Sequence, residues 1–321
     1  MKVFFLGALC AVFGLATEQP VRELSTQIIS FPRSRVPLFR HGYLILFPPG
    51  GANGVSASTV MYGFYAYGPD GHFLYQKSIE LPGGSEPVVG DVDFDADGNA
   101  AVGASALGGP SGFVSGILLL DGTGRETGFI DTGRYTPTRI AIAPDHSIWA
   151  LGWQRDADKP PLPDRQDYGI VRHFSADGKQ VRAYLPRSSF PAGLEPGTPG
   201  PEVHIEVTQD RVGVLAYSGP TSESTEWVEL GLNGNVLYRS RIDDALRAVA
   251  LAAFTADDHV YLESPSGAVY TLDHALHTWK PIPRQGANYL MGADGNSLVY
   301  SGRKNSEPIL LQWFNQPNVA D

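Results

Sequence analysis

Five polar residues stand at one repeated place in the chain, just ahead of short apolar runs: Arg35, Asp91, Arg139, His204 and Asn288, with Leu251 as the apolar occupant of the same column. Guanidinium, carboxylate, imidazole and carboxamide groups at the entrance to strands built for burial suit two tasks. They can bind a polar or anionic ligand, or they can hydrogen-bond water held in an interior channel. Two residues further along the same runs stand Asp93 and Glu206. Asp91, Asp93, His204 and Glu206 together therefore also offer oxygen and nitrogen donors to a divalent cation.

Other clusters carry less chemistry. Asp91, Asp93, Asp95, Asp97 and Gly98 have the acidic density of a calcium loop, but counting an EF-hand from Asp93 puts Ala104 where the bidentate glutamate belongs. A tight turn already explains Asp95, Asp97 and Gly98, so no cofactor is expected, with calcium as the alternative. His274 and His277 form the one close histidine pair, in an expected outer turn without cysteine or a third ligand, which points to an exposed turn rather than zinc. The stretch from Trp153 to Tyr168 gathers Trp153, Arg155, Asp156, Asp164 and Arg165 around prolines. It reads either as a recognition surface or as a proline-stiffened, solvated loop. The sequence has no Gly-x-Ser-x-Gly elbow, His-Glu-x-x-His or phosphate-binding glycine loop, although catalytic groups can assemble from distant segments.

The elements that must position these residues are repeated hairpins. Val92-Asp93-Phe94 and Ala100-Ala101-Val102 flank Asp95-Ala96-Asp97-Gly98-Asn99, two short strands around a turn in which Gly tolerates positive φ and Asp or Asn bonds its own backbone. The pattern returns around Asp145, Asp210, Asp257 and Asp294, about every 49 residues, within the range of propeller repeats. An apolar column three residues before each aspartate reads Phe94, Ile142, Val207, Phe254, Met291, as a buried strand face should. A second hairpin lies in each unit, turning near Gly71, Gly122, Gly178, Gly234 and His274. Two hairpins make a four-stranded blade, and a degenerate earlier unit at residues 36–45 brings the expected number of blades to six. After Phe314 no fourth strand remains for the last blade. The segment Leu24 to Phe31, with Ile28 and Ile29, is expected to supply it, closing the ring with N- and C-terminal strands in one blade.

On these residues the chain resembles the six-bladed β-propeller superfamily, especially its NHL-like and TolB-like groups. Asp95-Ala96-Asp97-Gly98-Asn99 carries the likeness in the inner hairpin, and Ser175-Ala176-Asp177-Gly178-Lys179 in the outer one. The resemblance implies an all-β propeller and leaves the activity open, because that superfamily includes binding modules, lactonases and lyases.

The 37 Gly and 25 Pro in 321 residues agree with many turns and few helices. Residues 1–16 read as a secretory signal, with Lys2 followed by an apolar run too short to span a bilayer, so a single propeller domain over 17–321 is expected in a secreted or periplasmic setting, with a retained anchor as the alternative. Cys10, the single cysteine, falls inside that signal, which excludes disulfides and thiol chemistry from the mature chain. Excess acid, 34 Asp+Glu against 24 Lys+Arg, opposes nucleic-acid binding. Long connections at Pro48–Thr59, Ser105–Ser115, Trp153–Asp167, Arg187–Glu202 and Ser218–Thr225 all fall on one face of such a ring. The chain is therefore expected to bind an unidentified small molecule or protein through its long-loop face and channel mouth, with no catalysis assigned. A metal-assisted lactonase- or lyase-like enzyme using Asp91, Asp93, His204 and Glu206 is the alternative.

Overall fold

A computed structural model describes residues 20–25, 37–47, 63–109, 112–154, 167–190, 202–217, 225–242, 251–264, 266–285, 289–302 and 310–316. Its strands form six antiparallel four-stranded sheets, each made of strands consecutive in sequence except one. That exception begins the chain: β1 (Arg22–Ser25) joins the last blade. Blade 1 follows with β2 (Leu38–Arg40), β3 (Tyr43–Leu46), β4 (Gly63–Tyr67) and β5 (Phe73–Ser78). Blade 2 comprises β6 (Gly84–Phe94), β7 (Ala100–Gly108), β8 (Phe113–Leu120) and β9 (Glu126–Asp131); blade 3, β10 (Tyr135–Ile142), β11 (Ile148–Gln154), β12 (Gly169–Phe174) and β13 (Gln180–Pro186). Blade 4 contains β14 (Glu202–Val207), β15 (Arg211–Tyr217), β16 (Thr225–Gly231) and β17 (Val236–Ile242); blade 5, β18 (Leu251–Phe254), β19 (Val260–Glu263), β20 (Val269–Asp273) and β21 (Thr278–Ile282). Blade 6 is β22 (Tyr289–Asp294), β23 (Ser297–Gly302), β24 (Leu310–Asn315) and then β1.

The ring is therefore a six-bladed β-propeller closed by its N-terminal strand. The closing strand begins two residues ahead of the expected segment: Leu24 pairs with Leu311 and Arg22 with Trp313, while Ile28 and Ile29 lie outside the described residues. Arg22 holds this junction with more than backbone bonds. Its guanidinium sits over the Trp313 ring at 4.3 Å and donates to the Pro69 carbonyl of blade 1 at 2.6 Å.

Packing between blades explains why the apolar columns exist. A sheet with two apolar faces must cover both, and each face here meets a neighbouring blade. Phe94 (0% exposed), Ile142 (7%), Val207 (4%), Phe254 (3%) and Met291 (4%) are all buried, as the repeat requires. The apolar core is divided into clusters at the blade junctions. Phe39, Leu44 and Leu46 of blade 1 meet Met291, Val299 and Trp313 of blade 6, so the seam has an apolar core like the other junctions.

The first-hairpin turns keep their place in the repeat but differ in length, with five residues between paired strands in blade 2, four in blade 4 and two in blade 1. In the first hairpin of blade 2, Asp95 Oδ1 accepts from the Asp97 and Asn99 N–H groups, both at 2.9 Å, and Gly98 takes φ +83°. In blade 6, by contrast, Asp294 is the last strand residue and pairs with Ser297, leaving a shorter turn. The expected loop at Ser105–Ser115 is also mostly strand: Ser105 pairs with Ser115 and Leu107 with Phe113, a long hairpin rising from blade 2. The other long connections lie largely outside the described residues.

Candidate functional site

The inner strands β2, β6, β10, β14, β18 and β22 expose one hydrogen-bonding edge to the central channel. An unpaired edge leaves backbone N–H groups without partners. Buried and half-buried carboxylates answer that need from one blade to the next. Asp91 Oδ2 accepts from the Ile140 N–H at 3.1 Å, and Asp93 Oδ2 from the Ile142 N–H at 2.7 Å, both reaching from blade 2 to blade 3. Glu206 Oε2 accepts from the Phe254 N–H of blade 5 at 3.2 Å. Glu263 of blade 5 accepts from the Leu290 N–H of blade 6.

Bulges aim these side chains. The ladder slips between Val89 and Asp91, between Pro137 and Arg139, and between Glu202 and His204. In each case the irregularity comes immediately before a residue of the polar column, and a bulge turns the following side chain away from the regular pleat. At Gly90 the neighbouring blade comes so close that a Cβ would lie 3.0 Å from the Pro137 carbonyl oxygen, so only glycine fits without displacing backbone.

The structure brings together two of the five column residues, Asp91 (1% exposed) and His204 (5%). The link between them is Arg40, at the end of β2, whose Nη2 lies 4.0 Å from Asp91 Oδ2 and 3.3 Å from His204 Nδ1. His204 Nε2 faces Glu206 Oε2 at 3.1 Å. A carboxylate only accepts, so Nε2 carries the proton and donates to Glu206, leaving Nδ1 to accept from Arg40. Burial, reinforced by the Arg40 charge, holds the His204 pKa below its ordinary value against the opposing pull of Glu206 and Asp91. The ring is therefore neutral at neutral pH, consistent with that tautomer. Burial alone would lower the Arg40 pKa, but Asp91, Glu206 and Asp93 outweigh it and raise the net value. Asp93 is pushed up, first by burial and also by Asp91, with His41, Arg40 and the Ile142 N–H opposing.

Arg139 does not join this cluster. Its Nε donates to the Val203 carbonyl at 2.7 Å and its Nη1 to the Thr138 carbonyl at 2.7 Å, so it ties blade 3 to blade 4. Arg35 and Asn288 lie outside the described residues. Blade 1 instead contributes Arg40 and His41, neither of which belongs to the repeated column. His41 takes φ +48° in the two-residue turn with Gly42, and its Nε2 lies 3.8 Å from Asp93 Oδ2. The histidine followed by glycine between two apolar strands was the visible signal of that turn.

Above the cluster is a cavity of about 190 Å³. Arg40, His41 and Glu206 line it together with Thr208, Gln209 and the first-hairpin turns Pro144, Ala256 and Gly295. It therefore opens on the tight-turn face, at the opposite end of the inner strands from the long connections.

Among the described residues, Asp91, Asp93, His204 and Glu206 do not supply three donor atoms within 4.8 Å of one another. Among the described residues, the group whose three donor atoms lie within 4.8 Å of one another is Asp95, Asp97 and His146. Asp95 there is already committed: Oδ1 accepts two turn amides, and Oδ2 accepts from Asn99 Nδ2 at 2.9 Å and meets His146 Nδ1 at 3.1 Å. One imidazole and two carboxylates are also a poorer match to calcium than an all-oxygen set.

His274 lies in the expected turn, but its half-buried side chain is held by a neighbouring blade. Its Nε2 reaches 2.6 Å from Oε1 of Glu229, a side chain 0% exposed, which also accepts from Trp227 Nε1 at 2.9 Å and Arg211 Nη1 at 3.0 Å. Arg211 continues to Asp258 at 3.2 Å, so this network fastens blade 4 to blade 5 rather than building a pocket. Against known proteins, no family model matches the chain and no curated protein matches it.

Proposed function

We propose that this chain is an exported propeller that binds a small polar ligand at the tight-turn mouth of its channel, without turnover. The observation that carries the reading is the cavity whose wall joins Arg40, His41 and Glu206 to the buried Asp91–His204 pair. Its volume, about 190 Å³, falls below the ~300–1,000 Å³ of sites for drug-sized ligands, which favours a small molecule over a polymer or a peptide. Strands hold Arg40 and Glu206, and a two-residue turn fixes His41 between β2 and β3; such preorganisation lowers the ordering cost of binding. Export is supported by the leader-like residues 1–16.

The test is ligand-observed NMR against a panel of small polar metabolites, followed by titration calorimetry on the protein and three variants. Glu206→Gln and His41→Asn should weaken a genuine channel ligand, whereas Arg139→Ala, whose side chain is spent on backbone carbonyls, should leave its affinity unchanged. Saturable binding that ignores the first two substitutions would remove the mouth from consideration.

A further inference from the structure

The wall of the cavity is divided in sign. Glu206 Oε2 is occupied by His204 and the Phe254 N–H, while its Oε1 has no partner among the described residues. Beside it stand the His41 imidazole and the Arg40 guanidinium, whose Nη1 lies 3.4 Å from the same His204 Nε2 that Glu206 faces. Behind this wall, Asp93 Oδ1 and Arg40 Nε both lack a hydrogen-bond partner, although their residues are only 1% and 6% exposed. Orphaned polar atoms are rare in interiors, and here one surplus acceptor and one surplus donor sit in the same cluster. Among the described residues, three carboxylates, Asp91, Asp93 and Glu206, act on one permanent cation, Arg40.

A simple anion would enter against Glu206 with two more carboxylates behind it. A bare metal cation would meet Arg40 and find no three converging donors among the described residues that line the cavity. A neutral polyol would satisfy hydrogen bonds and leave the division of charge unused. We propose that the mouth takes a small zwitterion of the amino-acid class, with its ammonium on Glu206 Oε1 and its carboxylate toward Arg40 and His41. Charge-assisted hydrogen bonds are the strong ones, and only a ligand bearing both charges makes them on both sides. The inference rests on the channel-mouth reading and narrows its ligand.

The experiment is calorimetric titration of the full mature chain with L-alanine, ethylamine, lactate and glycerol. These four present the zwitterion, its ammonium part, its hydroxy-acid counterpart and a neutral polyol. L-Alanine should bind saturably, and ethylamine and lactate should each bind about tenfold more weakly or worse, as expected when one charged hydrogen bond is lost. Glu206→Gln should weaken L-alanine by about tenfold and narrow its margin over lactate. His41→Asn, which keeps a residue suited to the turn, should narrow the margin over ethylamine with an unchanged melting temperature. Tighter binding of ethylamine, lactate or glycerol than of L-alanine would overturn the zwitterion and leave the mouth in place. Binding by none of the four would overturn the zwitterion, and the broader metabolite panel would then decide on the mouth separately. L-Alanine binding untouched by both substitutions would overturn the inference and the site together.

Discussion

Replacing Arg40 by Leu tests whether the channel is held by this buried permanent cation. Arg40 is 6% exposed and its Nη2 lies 4.0 Å from Asp91 Oδ2. At that separation and an effective dielectric of about 20, the attraction is about 4 kcal/mol before desolvation is subtracted. Breaking a buried pair by deleting one partner typically costs ~3–5 kcal/mol, because the other charge stays buried and uncompensated. Arg40→Leu should therefore lose ~3–5 kcal/mol at pH 7, measured from the midpoint and slope of urea unfolding. The cost should depend on Asp91. In an Asp91→Asn background the same substitution should cost ~1–3 kcal/mol less, the coupling expected of groups in one network.

The pH dependence has a definite sign. Asp93 has a raised folded pKa, so the folded chain holds that proton more tightly than the unfolded one. Its contribution is favourable below the unfolded value of 3.8 and is lost as pH rises through the folded value. Arg40 is among the groups that lower the Asp93 pKa, so removing it raises that pKa further. The deficit of Arg40→Leu should shrink as the pH falls from neutrality toward the acid range. Additivity of the Arg40 and Asp91 substitutions within ~0.5 kcal/mol would refute the pairing. A deficit that grows on acidification would refute the electrostatic account.

Glu229→Gln should cost about 2 kcal/mol at pH 7 in the same unfolding assay, since it weakens charged hydrogen bonds to His274, Trp227 and Arg211. Burial opposes the shift, but those partners hold the Glu229 pKa below 4.5, so the stabilisation is present above that unfolded value and is lost as pH falls through the folded one. The wild-type advantage should accordingly fade in acid. Gly98→Ala places a Cβ 2.8 Å from the Tyr43 hydroxyl at φ +83° and should lower stability by ~1–2 kcal/mol or more, whereas Gly133→Ala, at φ +62° with nothing within 4 Å, should show only the backbone part of that loss. Equal thermal shifts for the two glycines would contradict the contact with Tyr43.

The blades were legible because burial and turn chemistry repeat together. Phe94 and its counterparts mark a strand face, Asp95 to Asn99 mark a turn, and neither needs knowledge of distant residues. Ring closure was legible by elimination, since blade 6 lacked a strand, though Arg22 to Ser25 had no periodicity long enough to fix its limits. The site was half legible. Asp91 and His204 stood out as polar residues in buried strands, but the bulges before them do not change the sequence pattern. Arg40 escaped the column because blade 1 turns on His41-Gly42 alone. Its guanidinium reaches the cluster by the length of its side chain, a distance that spacing along a strand does not encode. Arg139 shows the converse: it shares the column, yet the nearby Val203 carbonyl captures its guanidinium.

The carboxylates that cap the next blade's inner edge give the ring a direction, from blade 2 to 3, from 4 to 5 and from 5 to 6. Each acts as a guard as well as a brace. A strand edge with open amides invites a strand from another molecule, the first step toward polymeric β-structure. Asp91 and Asp93 keep such a partner off β10, so a chain nicked or truncated within blade 2 would lose stability and also uncover a template for self-association. In this propeller the groups best placed to serve a ligand are thus the same ones that keep an incomplete ring from recruiting its neighbours.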